Sequence, residues 1–141
     1  MKPEPLVVER IVNAPISKVW SAITVNEEMK KWYFVLPEFK AEAGFEFTMM
    51  GGPPERQYLH LCKVIEVVEG KKISYSWRYD GYEGSSLVTF ELFDEGGKTR
   101  VKLTHSGLET FPVSNPDLAA GNFLEGWTMI IGKSLIEYLE L

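Results

Sequence analysis

Residues 115–141 read NPDLAAGNFLEGWTMIIGKSLIEYLEL, and this stretch decides the fold. On a helical wheel, Leu124, Trp127, Ile131, Leu135 and Tyr138 form one apolar stripe at i, i+3, i+4 and i+7 spacing. Lys133, Glu137 and Glu140 fall opposite. Ser114 or Asn115 can cap the start, Pro116 suits the first helical position, and Asp117 suits the positive end of the helix dipole. A long helix with one apolar stripe needs a partner surface, so the preceding chain is expected to supply one.

That surface is a sheet. From Glu38 to Ser106 the apolar period changes from about 3.6 to 2. Phe45, Phe47 and Met49 alternate with Glu46 and Thr48. Ile73, Tyr75, Trp77 and Tyr79 alternate with Ser74, Ser76 and Arg78. Val88, Phe90 and Leu92 alternate with Thr89 and Glu91. Val101, Leu103 and His105 alternate with Lys102 and Thr104. Gly51-Gly52-Pro53-Pro54, Glu69-Gly70-Lys71, Asp80 to Gly84 and Asp94-Glu95-Gly96-Gly97 are turn signals between these runs. The run from Tyr58 to Val68 carries polar residues on both faces, and its register stays open. Short strands joined by hairpins make an antiparallel meander with one covered and one wet face.

Upstream, Leu6 to Val12 is a strand. Asn13 is a candidate cap for a helix with Pro15 in its first turn and Ile16, Val19, Trp20 and Ile23 on its apolar side. A second short helix fits Asn26 to Trp32, with Asn26 as cap. The order is strand, two short helices, about six strands, long helix: an α+β fold in one domain spanning 1–141, its curved antiparallel sheet of about six or seven strands wrapped on the closing helix.

Bulk properties narrow the function. The apolar fraction is 45%, the charged fraction 25% and the net charge -5, values of an ordinary globular domain and unsuited to nucleic acid. No window approaches a membrane span and no apolar leader opens the chain, so membrane insertion is not expected. The single cysteine, Cys62, fits a reducing, cytoplasmic location. A monomer or weak homodimer is expected.

The residues facing the space between sheet and helix are Phe45, Phe47, Met49, Trp77, Tyr79, Val88, Phe90, Leu103 and His105, with Trp127 and Ile131 from the helix and Trp32 and Phe34 from the short-helix region. Aromatic walls with a few polar tips suit a small-molecule pocket; the same composition suits plain close-packed core. A dry void of about 300 Å³ would cost on the order of 7 kcal/mol, against a domain stability of roughly 5–15 kcal/mol. Any hollow must therefore be small, wet or occupied in use. Gly126 and Gly132 inside the helix are either tolerated or mark a close approach or a less rigid helix.

Chemistry is thinly represented. His105, on the inward face, is either a satisfied core residue or a polar tip for a ligand, and His60 reads as surface or structural. Neither has metal-ligand spacing. Cys62 has no neighbouring base. The turn acids Asp80, Glu83, Asp94 and Glu95 read as solvated. No catalytic residue, metal or cofactor is expected.

A resemblance covers nearly the whole chain. Val12-Asn13-Ala14-Pro15-Ile16-Ser17-Lys18-Val19-Trp20, with Ile23, Glu28 and Trp32, is similar to the opening of the activator of heat-shock protein 90 ATPase homologue-like family. Lys72-Ile73-Ser74-Tyr75-Ser76-Trp77, Val88 to Leu92, Thr99 to Leu103 with Thr104-His105-Ser106-Gly107, and Gly126-Trp127 with Leu135 and Tyr138-Leu139 match its later strands and closing helix. The family lies in the START / birch-pollen-allergen-like (SRPBCC) superfamily of helix-grip domains. The resemblance implies a helix-grip fold with a hydrophobic cavity between sheet and long helix. Its name comes from the C-terminal domain of a co-chaperone, whose N-terminal chaperone-binding domain this chain is expected to lack. Lipid and hormone carriers, resistance proteins and polyketide cyclases share the superfamily, and fold alone does not choose among them. The expectation is a non-catalytic binder of a small apolar or aromatic ligand, with Trp77, Tyr79, Phe90 and Trp127 as walls and His105 as hydrogen-bonding tip. A chaperone-directed interaction module in stress response and a cyclase-type enzyme are the alternatives.

Overall fold

The computed structural model describes residues 4–34, 36–52, 55, 57–112 and 114–140. β1 (Leu6–Val12) leads into α1 (Ile16–Thr24) and α2 (Asn26–Trp32). Five strands follow: β2 (Glu46–Gly51), β3 (Tyr58–Val68), β4 (Lys72–Tyr79), β5 (Ser86–Asp94) and β6 (Thr99–Ser106). They form one antiparallel sheet in the order β1-β6-β5-β4-β3-β2. Among the described residues the sheet thus has six strands, the lower of the two expected numbers. β1 returns to the edge beside β6, with Leu6 opposite His105.

Alternation works as expected on β4, β5 and β6, which turn Tyr75, Trp77, Tyr79, Val88, Phe90, Val101, Leu103 and His105 inward. β3 explains its own ambiguity. Tyr58, His60, Cys62 and Val64 face inward, and then the register with β4 slips between Val64 and Glu66. A bulge adds one residue to one strand and reverses which side the rest presents. Ile65 is the extra residue and is exposed, and beyond it Val67, opposite Ile73, takes the inward side, so a single period cannot describe the run.

The closing helix differs from expectation in start and phase. Asn115 caps a short 3₁₀ turn, Pro116–Leu118, by accepting from the Asp117 amide (3.0 Å). The α-helix α3 begins only at Ala120 and runs to Met129; a π turn, Ile130–Leu135, leads into α4 (Ile136–Glu140). The buried row is Phe123, Trp127, Ile131, Leu135 and Leu139. Leu124 is 49% exposed and Tyr138 only half-buried, so the expected stripe is wrong at both ends. A four-residue step overshoots an α turn by about 40°, and four steps would carry the row roughly 160° round the helix. The wider i→i+5 turn takes back part of that drift and keeps the row against the sheet. Neither Gly126 nor Gly132 meets another backbone: open space faces Gly126, and the Arg10 side chain lies over Gly132.

The expected caps of the first two helices also differ. Pro15 and Val25 occupy the cap positions without side-chain bonds. The Asn13 amide instead donates to Glu140 Oε2 (3.0 Å), tying the end of α4 to the β1–α1 corner. Asn26 turns inward and donates to the Leu36 carbonyl. The expected turn at Gly51 to Pro54 extends past Gly52 into Pro53 and Pro54, which lie outside the described residues.

Gly84 holds a tertiary contact with the 108–111 segment. Gly84 has φ +102°, and a Cβ there would lie 2.5 Å from the Thr110 carbonyl oxygen and 2.8 Å from Phe111 Cδ1. Gly97 has φ +93° with open space around it. Gly84→Ala should cost about 2–3 kcal/mol in urea unfolding, and Gly97→Ala only about 1 kcal/mol. Equal losses would mean that the 108–110 turn does not depend on this approach.

Candidate ligand-binding site

Alternation on β4 and β5 and the row on α3 converge on one aromatic cluster. Trp77 and Trp127 lie 5.5 Å apart between ring centroids, and Phe90 and Trp127 6.0 Å. Tyr33, from the segment after α2, stacks on Trp127 at 6.2 Å and shares a 2.7 Å hydrogen bond with the Tyr75 hydroxyl. Around Phe90 this cluster is packed solid.

His105 is wired into the cluster. Ser86 Oγ donates to the Trp77 carbonyl (2.8 Å), which leaves it an acceptor. His105 Nε2–H therefore donates to Ser86 Oγ (2.7 Å), while Nδ1 accepts from the Trp127 indole N–H (2.9 Å). Both nitrogens are engaged within the protein. Burial pushes the imidazole down to about 3, so it is neutral at pH 7. The expected hydrogen bond from His105 to a ligand has no nitrogen left to make it; the residue positions Trp127 instead.

Two hollows flank α3. The smaller, about 180 Å³, opens between β3, β4 and the helix and is lined by Phe34, His60, Trp77, Tyr79, Phe123 and Trp127, with Gly52, Asp117, Asn122, Gly126 and Ile130. The larger, about 670 Å³, lies at the β1–β6 edge below the start of α3. Its walls are Leu6, Val7, Leu108, Phe111, Pro112, Leu118 and Leu124, with the His105 ring; Gly107, Ala119, Ala120 and Gly121 complete the lining, and Glu4, Glu109 and Asn115 are its polar members. Phe111 and Phe123 stack at 5.9 Å between the two.

The expected site residues thus divide. Phe34, Trp77, Tyr79 and Trp127 border the smaller hollow, and His105 borders the larger. Met49, Val88, Phe90, Leu103 and Ile131 are buried in the core and border neither hollow. Phe45 and Phe47 pack on Phe39, at 6.3 and 5.0 Å, away from both hollows beside the helix. Trp32 donates its indole N–H to the Ala22 carbonyl (2.8 Å) and fastens α2 to α1. Cys62 is buried, and that burial pushes its thiol up to about 12, so it is no nucleophile at neutral pH.

Sequence reasoning missed Leu108, Phe111, Leu118, Phe123 and the inward face of His60. Phe123 was findable, because 123, 127, 131, 135 and 139 share one spacing. The others sit in irregular chain or beside the bulge, where no period marks them.

The family model described as Activator of Hsp90 ATPase homolog 1-like protein matches residues 13–140. No curated protein matches the chain. Among solved structures, a Mesorhizobium loti protein shares 26% identity over 96% of each chain, with a TM-score of 0.80. A Bacillus halodurans protein shares 25% identity over 98% of each chain, with a TM-score of 0.75. DynU16, a protein in the dynemicin biosynthetic locus, is alike in fold at 19% identity and a TM-score of 0.78, over 98% of this chain and 48% of that one.

Proposed function

The chain belongs to the Activator of Hsp90 ATPase homolog 1-like family, and from that premise we propose that it is a non-catalytic binder of a small, neutral, apolar molecule held in the groove beside the closing helix. One observation carries this reading. The groove of about 670 Å³, walled by Leu6, Leu108, Phe111, Leu118 and Leu124, has the size and composition of small-molecule sites. Its charged lining residues, Glu4 and Glu109, are both acidic, and no Lys or Arg is among the described lining residues. That arrangement favours a neutral ligand over a carboxylate or phosphate, since an anion would meet like charge at the rim without a partner.

Gly121 provides the test. It lines the groove, and a Cβ built there meets nothing within 4 Å. Gly121→Leu starts its side chain in open space and should narrow the groove, leaving stability unchanged or raised by up to about 1 kcal/mol. Titration with the neutral dye Nile red should show saturable binding to the wild-type protein and at least tenfold weaker binding to the variant. Anionic anilinonaphthalene sulfonate should bind more weakly than Nile red to both. Equal affinity of wild type and variant for Nile red would remove the groove from the reading. Stimulation of a chaperone's ATPase that Gly121→Leu leaves intact would move the function to a protein-interaction surface.

A further inference from the structure

His60 lies on the inner face of β3 and is 4% exposed. Its Nδ1 stands 3.0 Å from the Tyr58 carbonyl and 3.1 Å from the Met49 carbonyl. Carbonyl oxygens only accept, so Nδ1 carries the ring proton and Nε2 keeps a bare lone pair. Nε2 makes no hydrogen bond with any described residue, and the ring borders the smaller hollow. Burial holds the imidazole at about 4, so the lone pair is present at neutral pH.

Tyr79 borders the same hollow. Its hydroxyl oxygen accepts from the Trp77 indole N–H at 2.8 Å. Its own proton is given to no described residue. The two rings stand 4.7 Å apart between centroids. One wall thus presents an unused acceptor and an unused donor, within an aromatic lining of Phe34, Trp77, Phe123 and Trp127.

Size and polarity select the ligand class. A cavity of about 150 Å³ is known to accept benzene, so about 180 Å³ holds one aromatic ring with a small substituent and excludes two. The substituent must donate to Nε2 and accept from Tyr79. A hydroxyl does both with one oxygen. An ammonium cannot accept, and a carboxylate cannot donate and would also face Asp117 in the same lining. We propose that this slot is a binding site for a monocyclic phenol, with the ring between the aromatic walls and the hydroxyl bridging His60 Nε2 and Tyr79 Oη. The site lies across the Phe111–Phe123 stack from the groove and does not depend on the reading of the groove.

The probes are phenol and p-cresol, with toluene as the isostere of phenol that lacks the hydroxyl. Binding is followed by calorimetry and by the imidazole ¹⁵N resonances of the wild-type protein. Phenol is expected to bind at least tenfold more tightly than toluene and to shift the His60 Nε2 resonance. His60→Phe and Tyr79→Phe should each erase most of that preference. Equal binding of phenol and toluene, an unmoved Nε2 resonance, perturbation confined to Leu6 and Leu108 in the groove, or no binding at all would each overturn the proposal. The resonance measurement needs no substitution, so it stands even if a variant fails to fold.

Discussion

Acidification from pH 6.5 to about 4 should remove most of this protein's stability. His60 and His105 are both buried neutral, at about 4 and about 3 against 6.5 when exposed. In this range the unfolded chain binds more protons than the folded one, so stability rises with pH and is lost as pH falls. The contribution is complete above 6.5 and fades until each folded value is passed. Each histidine accounts for about 1.4 kcal/mol per pH unit. Together they remove on the order of 7 kcal/mol by pH 4, comparable with a whole domain's roughly 5–15 kcal/mol. Urea unfolding at pH 7, 6 and 5 should show a falling midpoint, with close to two protons taken up on unfolding near pH 5. His60→Gln should bring that uptake nearer to one. A midpoint unchanged between pH 6.5 and 5 would show that neither ring is held neutral.

Trp127→Ala is expected to cost about 3–5 kcal/mol from lost packing alone. The indole is 2% exposed and packs against Trp77, Phe90 and Tyr33. It also gives its N–H to His105 Nδ1, and leaving that acceptor unpaired in the core adds about 1–3 kcal/mol. Trp127→Phe separates the two effects, since it retains much of the volume and loses only the donor. Its loss should be the smaller. The His105 imidazole, relieved of a donor at Nδ1, should also protonate more readily in the folded protein, so its share of the acid loss should end at a higher pH and be smaller. A loss below 1 kcal/mol for Trp127→Ala would mean that α3 does not close the core.

How much was legible differs between elements. β4, β5 and β6 could be read because their inward face is dry and their outward face wet, and each keeps one phase from end to end. β3 could not, because the bulge beyond Val64 exchanges its faces halfway. The closing helix was legible as a helix, yet its stripe was drawn with α-helical spacing and the π turn follows another. Trp77, Tyr79 and Trp127 were legible as inward aromatics. Whether such residues border a space or fill it was not: Phe90 and Tyr79 have the same pattern in sequence, and only the second borders a hollow.

The order of amino acids alone determined an α+β chain whose antiparallel meander needs a closing amphipathic helix, since periods of 2 and about 3.6 are local consequences of backbone geometry. It also determined the family, through short motifs spread along the chain. The tertiary structure alone decided where space remains, which nitrogen of His60 carries the proton, and that His105 is fully engaged. Those properties depend on groups far apart in the chain, such as the Met49 carbonyl beside His60 and the Trp127 indole beside His105, and no local pattern encodes their meeting.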